Sequence, residues 1–160
     1  AELQAVTSAA QERRRDLAER VAPVLAQLQS EHPPRPETRA EAARLASSLR
    51  DDLQARFLMR AEIRTMVASA RARGVAVSIS DDRSMPSEDA IASRARALIA
   101  AGLGAADSGE MVFRISPASG FTCVASGMSE GSLARVGEVL TAMGAEVEVA
   151  DEILWSSLPE

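Results

Sequence analysis

Few side chains in this sequence could carry covalent or acid–base chemistry. There is one histidine, His32, one cysteine, Cys123, and no tyrosine. A Cys–His nucleophile pair or a histidine-rich metal centre has almost nothing to draw on. His32 sits in the run EHPPRPE (31–37), a stiff proline-rich turn, where an exposed side chain is expected. Cys123 falls in a strand-like run and reads as a small core residue. A lone cysteine makes no intramolecular disulfide and no paired-cysteine metal site. Asp81 and Asp82 read as a polar turn, because adjacent carboxylates without a third ligand do not make a cation site. Asp51 and Asp52 read as surface charge. The run Arg13, Arg14, Arg15, with Glu12 and Asp16 beside it, reads as a solvated helix face. Trp155 reads as a packing residue, since one tryptophan cannot form a recognition cage.

Composition narrows the classes further. A chain of 160 residues suits one domain, or a small domain with a helical annex. It is 46% hydrophobic, 26% charged and only 2% aromatic, so the core is aliphatic. A net charge of -5 argues against a nucleic-acid partner, which needs clustered positive charge. All 18 basic residues are arginine, which reads as compositional bias. No apolar run is long enough to span a bilayer and no signal peptide is visible, so direct membrane contact is not expected. The sequence opens at Ala1 on what reads as mid-helix. The expectation is a cytoplasmic, C-terminal fragment of a larger protein, membrane-anchored or not.

The elements that must position any site follow from periodicity. Residues 2–30 read as one long helix, with Leu3, Ala10, Leu17 and Val24 every seven residues and Val6, Val21, Leu25 and Leu28 widening the stripe. Pro23 lies inside it, where a kink is expected. Residues 37–56 form a second helix with Ala42, Leu45, Leu49 and Leu53 on one face and a capping box from Thr38 and Glu41. Joined by the proline turn, the two make an antiparallel hairpin that a second copy would complete as a four-helix bundle. Residues 60–73 are helical and Gly74 stops them; whether the chain breaks at 57–59 stays open.

Residues 75–80 alternate as a strand. The stretch 89–106, DAIASRARALIAAGLGAA, is the most apolar helix of the chain, capped by Ser87 or Asp89. Strands at 111–115 and 121–125 flank a Pro/Gly loop. A helix at 133–143 and strands at 146–150 and 153–158 close the chain. The fold class is α+β: an N-terminal helical hairpin, then helices on one face of a mixed sheet.

This order resembles the catalytic region of a sensor histidine kinase: a dimerisation and phosphotransfer hairpin followed by a GHKL-type ATPase domain. On that resemblance, residues 1–56 are the hairpin and 57–160 the ATPase-like α/β sandwich. Asp16-Leu17-Ala18-Glu19-Arg20-Val21 resembles the family's E-L-H-D-R-V box, and Pro23 its kink-forming proline. Residues 97–106 resemble the helix E-A-L-T-N-A-L-R-H-A. Residues 124–127 fall where a strand leads into D-x-G, residues 133–149 resemble the final helix and strand, and Leu158-Pro159 the closing L-P. The resemblance puts Ala18 at the phosphoacceptor histidine. It puts Ala101 at the magnesium-holding asparagine, Ala97 at the acid that positions water, and Ala125 at the adenine-accepting aspartate. The glycine-rich lid is reduced to residues 128–132, with Gly127 and Gly131 remaining.

Alanine supplies neither a nucleophile nor an oxygen ligand. An unpaired adenine amino group would cost about 1–3 kcal/mol. The resemblance therefore implies a degenerate, pseudokinase-like module of a two-component system, with no catalytic residue, no metal site, and ATP and magnesium binding lost. It would form a homodimer through Leu17, Val21, Val24, Leu28, Leu45 and Leu49 and relay a signal to a response regulator or an active histidine kinase. The alternatives are an active or partly active sensor kinase that binds ATP through atypical ligands, with phosphorylation elsewhere, and an unrelated protein-interaction domain.

Overall fold

A computed structural model of the chain describes residues 2–158, with side chains from Gln11 onward apart from Arg13. The side chains of Leu3, Val6, Ala10 and Arg13, and Pro159 as a whole, lie outside the described residues. Among the described residues the order is α1 (Glu2–Ser30), α2 (Pro36–Gln54), α3 (Ala61–Ala72), β1 (Ala76–Asp81), α4 (Ala90–Ala105), β2 (Glu110–Ser116), β3 (Gly120–Ser126), α5 (Glu130–Ala142), β4 (Glu146–Ala150) and β5 (Ile153–Ser157). The class is α+β with a mixed sheet, and element ends differ from the sequence reading by a few residues at most. The chain divides into two compact units, Ala1–Arg50 and Asp51–Glu160.

In the first unit α1 continues through Pro23 without ending. The turn after it is organised by Glu31, whose Oε2 accepts the Arg35 N–H at 2.9 Å and the Thr38 hydroxyl at 2.8 Å. Thr38 is therefore not the cap of a Thr38–Glu41 box. The second helix starts earlier, at Pro36, whose missing N–H costs nothing in a first turn. His32 is exposed. Arg20 Nη2 on α1 donates to Ser48 Oγ on α2 at 2.7 Å. Val24 is buried, and Val21, Leu28, Leu45 and Leu49 are half-buried. Leu17 and Leu25 are 45% and 51% exposed.

The second unit opens with a buried turn that settles the open point at 57–59. Ala55 and Leu58 are fully buried and Met59 nearly so. The Met59 N–H donates to Ala55 O at 2.9 Å, and Arg96 Nη1 donates to Phe57 O at 2.8 Å. The helix breaks here because Leu58 and Met59 leave its axis to enter the core. Asp51 and Asp52 are not free surface charge. Asp51 is buried, with Oδ2 2.8 Å from Arg71 Nη1 although the N–H is not aimed along that contact. Arg71 also donates to Val77 O at 2.7 Å, and Arg64 donates to Asp52 at 2.8 Å.

The sheet order is β1-β2-β3-β5-β4. Among the described residues only the β1–β2 pair is parallel, and α4 makes the crossover that a parallel pair requires. Helices α3, α4 and α5 form a layer in which α4 touches both others. The core lies between this layer and the sheet residues Ile79, Met111, Phe113, Ile115, Phe121, Cys123, Ala125 and Leu154, all essentially inaccessible. The rings of Phe113 and Phe121 stack 6.3 Å apart, an arrangement worth about 0.5–1.5 kcal/mol beyond their buried area. On the opposite sheet face Ser78, Val112, Val124, Trp155 and Glu148 form one cross-strand row. Trp155 stands there 43% exposed, outside the core.

The inner face of α4 is Ala92, Ala95, Leu98, Ile99, Gly102 and Leu103, all buried. A Cβ added at Gly102 would sit 3.1 Å from Met111 Cε and 3.5 Å from Phe113 Cζ. Glycine thus lets the helix lie close over β2.

Burial pushes the Cys123 thiol up to about 12, so almost no thiolate exists near neutral pH. The native chain is expected to leave Ellman's reagent unreacted at mildly alkaline pH, and the thiol to react fully once denaturant unfolds it. Rapid labelling of the folded chain would contradict the burial.

Candidate functional site

Helix α4 is the element around which any site in the second unit must be built, and both its ends are held by charge. At its N-terminus Asp89 is the cap, its Oδ1 accepting the Ala92 N–H at 2.8 Å. Oδ2 of the same carboxylate accepts Arg83 Nη1 at 2.6 Å and the Ser87 hydroxyl at 2.9 Å. Arg83 also grips Asp81 with two bonds, Nε to Oδ1 at 2.8 Å and Nη2 to Oδ2 at 2.7 Å. Asp81 is the last residue of β1 and its side chain is only 1% exposed. The two hydrogen bonds it donates to Asp81 hold the Arg83 guanidinium more firmly protonated than usual, Asp89 adding to the effect. So Asp81 is not part of a loose polar turn. Its neighbour Asp82 pairs instead with Arg114 on β2.

Just before the cap, Glu88 accepts from both Arg96 and Arg60. At the C-terminal end Arg73 Nη2 donates to Leu103 O at 2.7 Å and to Ala106 O at 3.3 Å, covering carbonyls that the helix leaves unpaired. Beyond it Gly109 has φ +80, and a Cβ there would lie 2.4 Å from Ser126 O. Only glycine fits where the start of β2 passes the end of β3.

The solvent side of α4 carries the alanines singled out from sequence, and the structure distributes them. Ala97 is exposed and lines a groove of about 360 Å³ with Arg60, Glu62 and Arg96. Ala101 and Ala105 line a separate, shallow groove of about 640 Å³ with Arg73, Asp107, Arg135 and Glu138. Ala125 lies in the core of β3, between its register partners Met111 and Leu154, and lines neither groove. Ala18 is exposed on α1, in the first unit. Residues 128–132 are mostly the start of α5: Ser129 is its N-cap, accepting from Ser132 N, and Glu130, Gly131 and Ser132 are helical.

The cations around these grooves are already committed. Arg135 pairs with Asp107 at 2.7 Å, and Arg73 holds the helix end. Asp107 lies below the usual carboxylate range, through the Ser132 hydroxyl first and then Ser108 and Arg135. Glu88 is lowered by Arg96 and then Arg60, and Asp89 by the Ala92 N–H first and then Ser87 and Arg83. The grooves beside α4 thus present methyl groups, ion pairs that already serve the fold, and the carboxylates of Glu62 and Glu138.

Sequence reading missed Arg83, Arg73 and Gly109. Arg83 had a usable signal, since it stands two residues after Asp81 and six before Asp89, on the strand-to-helix connection. Arg73 and Gly109 had none, because their partners are carbonyls distant in sequence.

No family model matches the chain, and no curated protein matches it. Among solved structures, the cytoplasmic segment of histidine kinase QseC aligns over 67% of this chain and 76% of its own, at 13% identity and a TM-score of 0.36, a slight likeness.

Arg83→Met would leave the Asp81 carboxylate buried without its partner, which costs about 3–5 kcal/mol. The expected result is a large drop in the denaturant midpoint; a change within the range of an ordinary surface substitution would mean that the clamp is dispensable. Lowered folded-state values at Glu88, Asp89 and Asp107 make stability greatest above the unfolded carboxylate range near pH 4. Stability is then lost as pH falls through the lower folded values. Circular dichroism melts across acid pH should show that direction, with a shallower loss in Asp89→Asn.

Proposed function

We propose that this chain is a degenerate, histidine-kinase-like signalling module that dimerises and relays a conformational signal without phosphotransfer. The observation that carries the reading is the unclosed apolar stripe of α1, where Leu17 and Leu25 are 45% and 51% exposed. Val21, Leu28, Leu45 and Leu49 stand only half-buried in the same unit. Two helices bury too little alone, and a second copy presenting the same stripe would complete a four-helix core.

Support for the loss of chemistry comes from the side chains themselves. Position 18 is exposed on a helix, as a phosphoacceptor must be, but it carries a methyl group. Ala97, Ala101 and Ala105 offer no oxygen to magnesium or phosphate. An acceptor for adenine at Ala125 would have to come from a methyl group enclosed by the core. On this reading the module is cytoplasmic, and its partner is a second copy together with a response regulator or an active kinase.

Sedimentation of the full chain is expected to show a dimer. Leu17→Glu combined with Leu25→Glu should shift it to monomer with the helical circular dichroism signal retained. Calorimetry with ATP and magnesium should show no binding. A wild-type monomer would sink the dimer reading, and micromolar, magnesium-dependent ATP binding would favour a kinase with atypical ligands.

A further inference from the structure

At the end of α4 opposite Ala101 and Ala105 lies a deeper groove of about 740 Å³. Its floor is Ile115 and Phe121, register partners on β2 and β3 that are both almost fully buried. One wall is the first turns of α4, where Ile91 and Arg94 stand one turn apart. The other wall is the 116–120 turn, with Pro117 and Ala118 at its tip. That turn is set by its own bonds: the Ser116 and Ser119 hydroxyls lie 2.6 Å apart, and Ser119 N donates to Ser116 Oγ at 3.1 Å. A preformed apolar cleft of this size is what small-molecule sites use.

Two features say what would fill it. Ile91 is 44% exposed on the wall, an apolar side chain that an occupant would cover. Arg94 lines the same wall, and its hydrogen bond to Gly144 O is 3.5 Å, at the far end of the range. The contrast with Arg83, at the same groove, is chemical. Arg83 already holds Asp81 and Asp89, so those two carboxylates are turned onto it and its charge is more than balanced. Asp82, on the same connection, is occupied by Arg114. Arg94 is left as the charge available to an anion.

We propose that this groove binds a small amphipathic carboxylate, its alkyl body against Ile91, Pro117 and Leu158, above the buried Ile115 and Phe121, and its head on the Arg94 guanidinium. A charge-assisted bond at the rim would select the anion over a neutral molecule with the same body. The site is separate from the alanine-lined grooves and does not depend on the chain's relation to kinases.

Calorimetry of the full chain with octanoate, and with octanol as its uncharged counterpart, tests this directly. The expected result is octanoate bound about tenfold more tightly than octanol. Arg94→Gln should remove that preference and leave octanol unchanged, and Arg94→Lys should restore part of it. Ile91→Trp, which fills the groove from an exposed position, should weaken both probes severalfold. Melting curves identify a variant that fails to fold, and in that case the remaining substitutions decide. Equal binding of the two probes to the unaltered chain, or octanoate binding unchanged in both Arg94→Gln and Ile91→Trp, would overturn the proposal.

Discussion

The second unit depends on one cation placed between two carboxylates. Arg83 takes Asp81 from the end of β1 and Asp89 from the cap of α4, and so fixes where the helix starts relative to the strand before it. The constraint propagates along α4. Once its first turn is set, Ala92, Ala95, Leu98, Ile99, Gly102 and Leu103 fall in succession onto the sheet. Gly102 then lies within reach of Met111 and Phe113, and an error of a fraction of a turn would replace that close approach with a clash. A buried pair of this kind adds little stability over an apolar substitute, but leaving one partner alone is costly. Its contribution is to make the register of helix on strand specific.

Arginine does the same work elsewhere in this unit. Arg71 reaches Asp51 and the Val77 carbonyl, Arg96 reaches Glu88 and the Phe57 carbonyl, and Arg73 covers the carbonyl end of α4. A planar guanidinium with several donors suits such bridging, where an ammonium would act as a single point charge. The chain has no lysine at all, so the ion pairs between elements fall to arginine. The result is a surface rich in charge whose cations near α4 are mostly already used. This is why the grooves around Ala97, Ala101 and Ala105 offer little to a phosphate, and why Arg94, with its single long bond, stands apart.

Much of the architecture was legible because it rests on periodicity and punctuation. The stripe in 2–30, the alternation Glu-Val-Glu-Val in β4 and the stops at Gly74 and Gly144 are local patterns, and local patterns survive folding. The turn at 55–60 was not legible, since no Gly or Pro marks it and its cause is the burial of Leu58 and Met59 by elements that come later in the chain. The Thr38–Glu41 box failed for a similar reason. Glu31, across the turn, competes for the Thr38 hydroxyl and moves the helix start to Pro36. Residue type makes Trp155 a packing residue but does not say on which face, and strand register puts it on the open face opposite Val124. A one-residue alternation decides which face a strand residue joins, and composition carries no information about it.

The sequence by itself determined the order of elements, the α+β class, the aliphatic core and the lack of reactive side chains, because each follows from residue type and spacing. Tertiary structure decided the rest. It made Asp51 and Asp81 buried partners instead of surface charge, because their arginines, Arg71 and Arg83, are brought to them by packing. It separated Ala97 and Ala101 from Ala125, which sequence likeness had grouped, because the first two lie on the outer side of α4 and the third is enclosed on the inner face of β3. And it opened the groove at Ile91 and Arg94, whose walls come from segments that touch only once the sheet has closed.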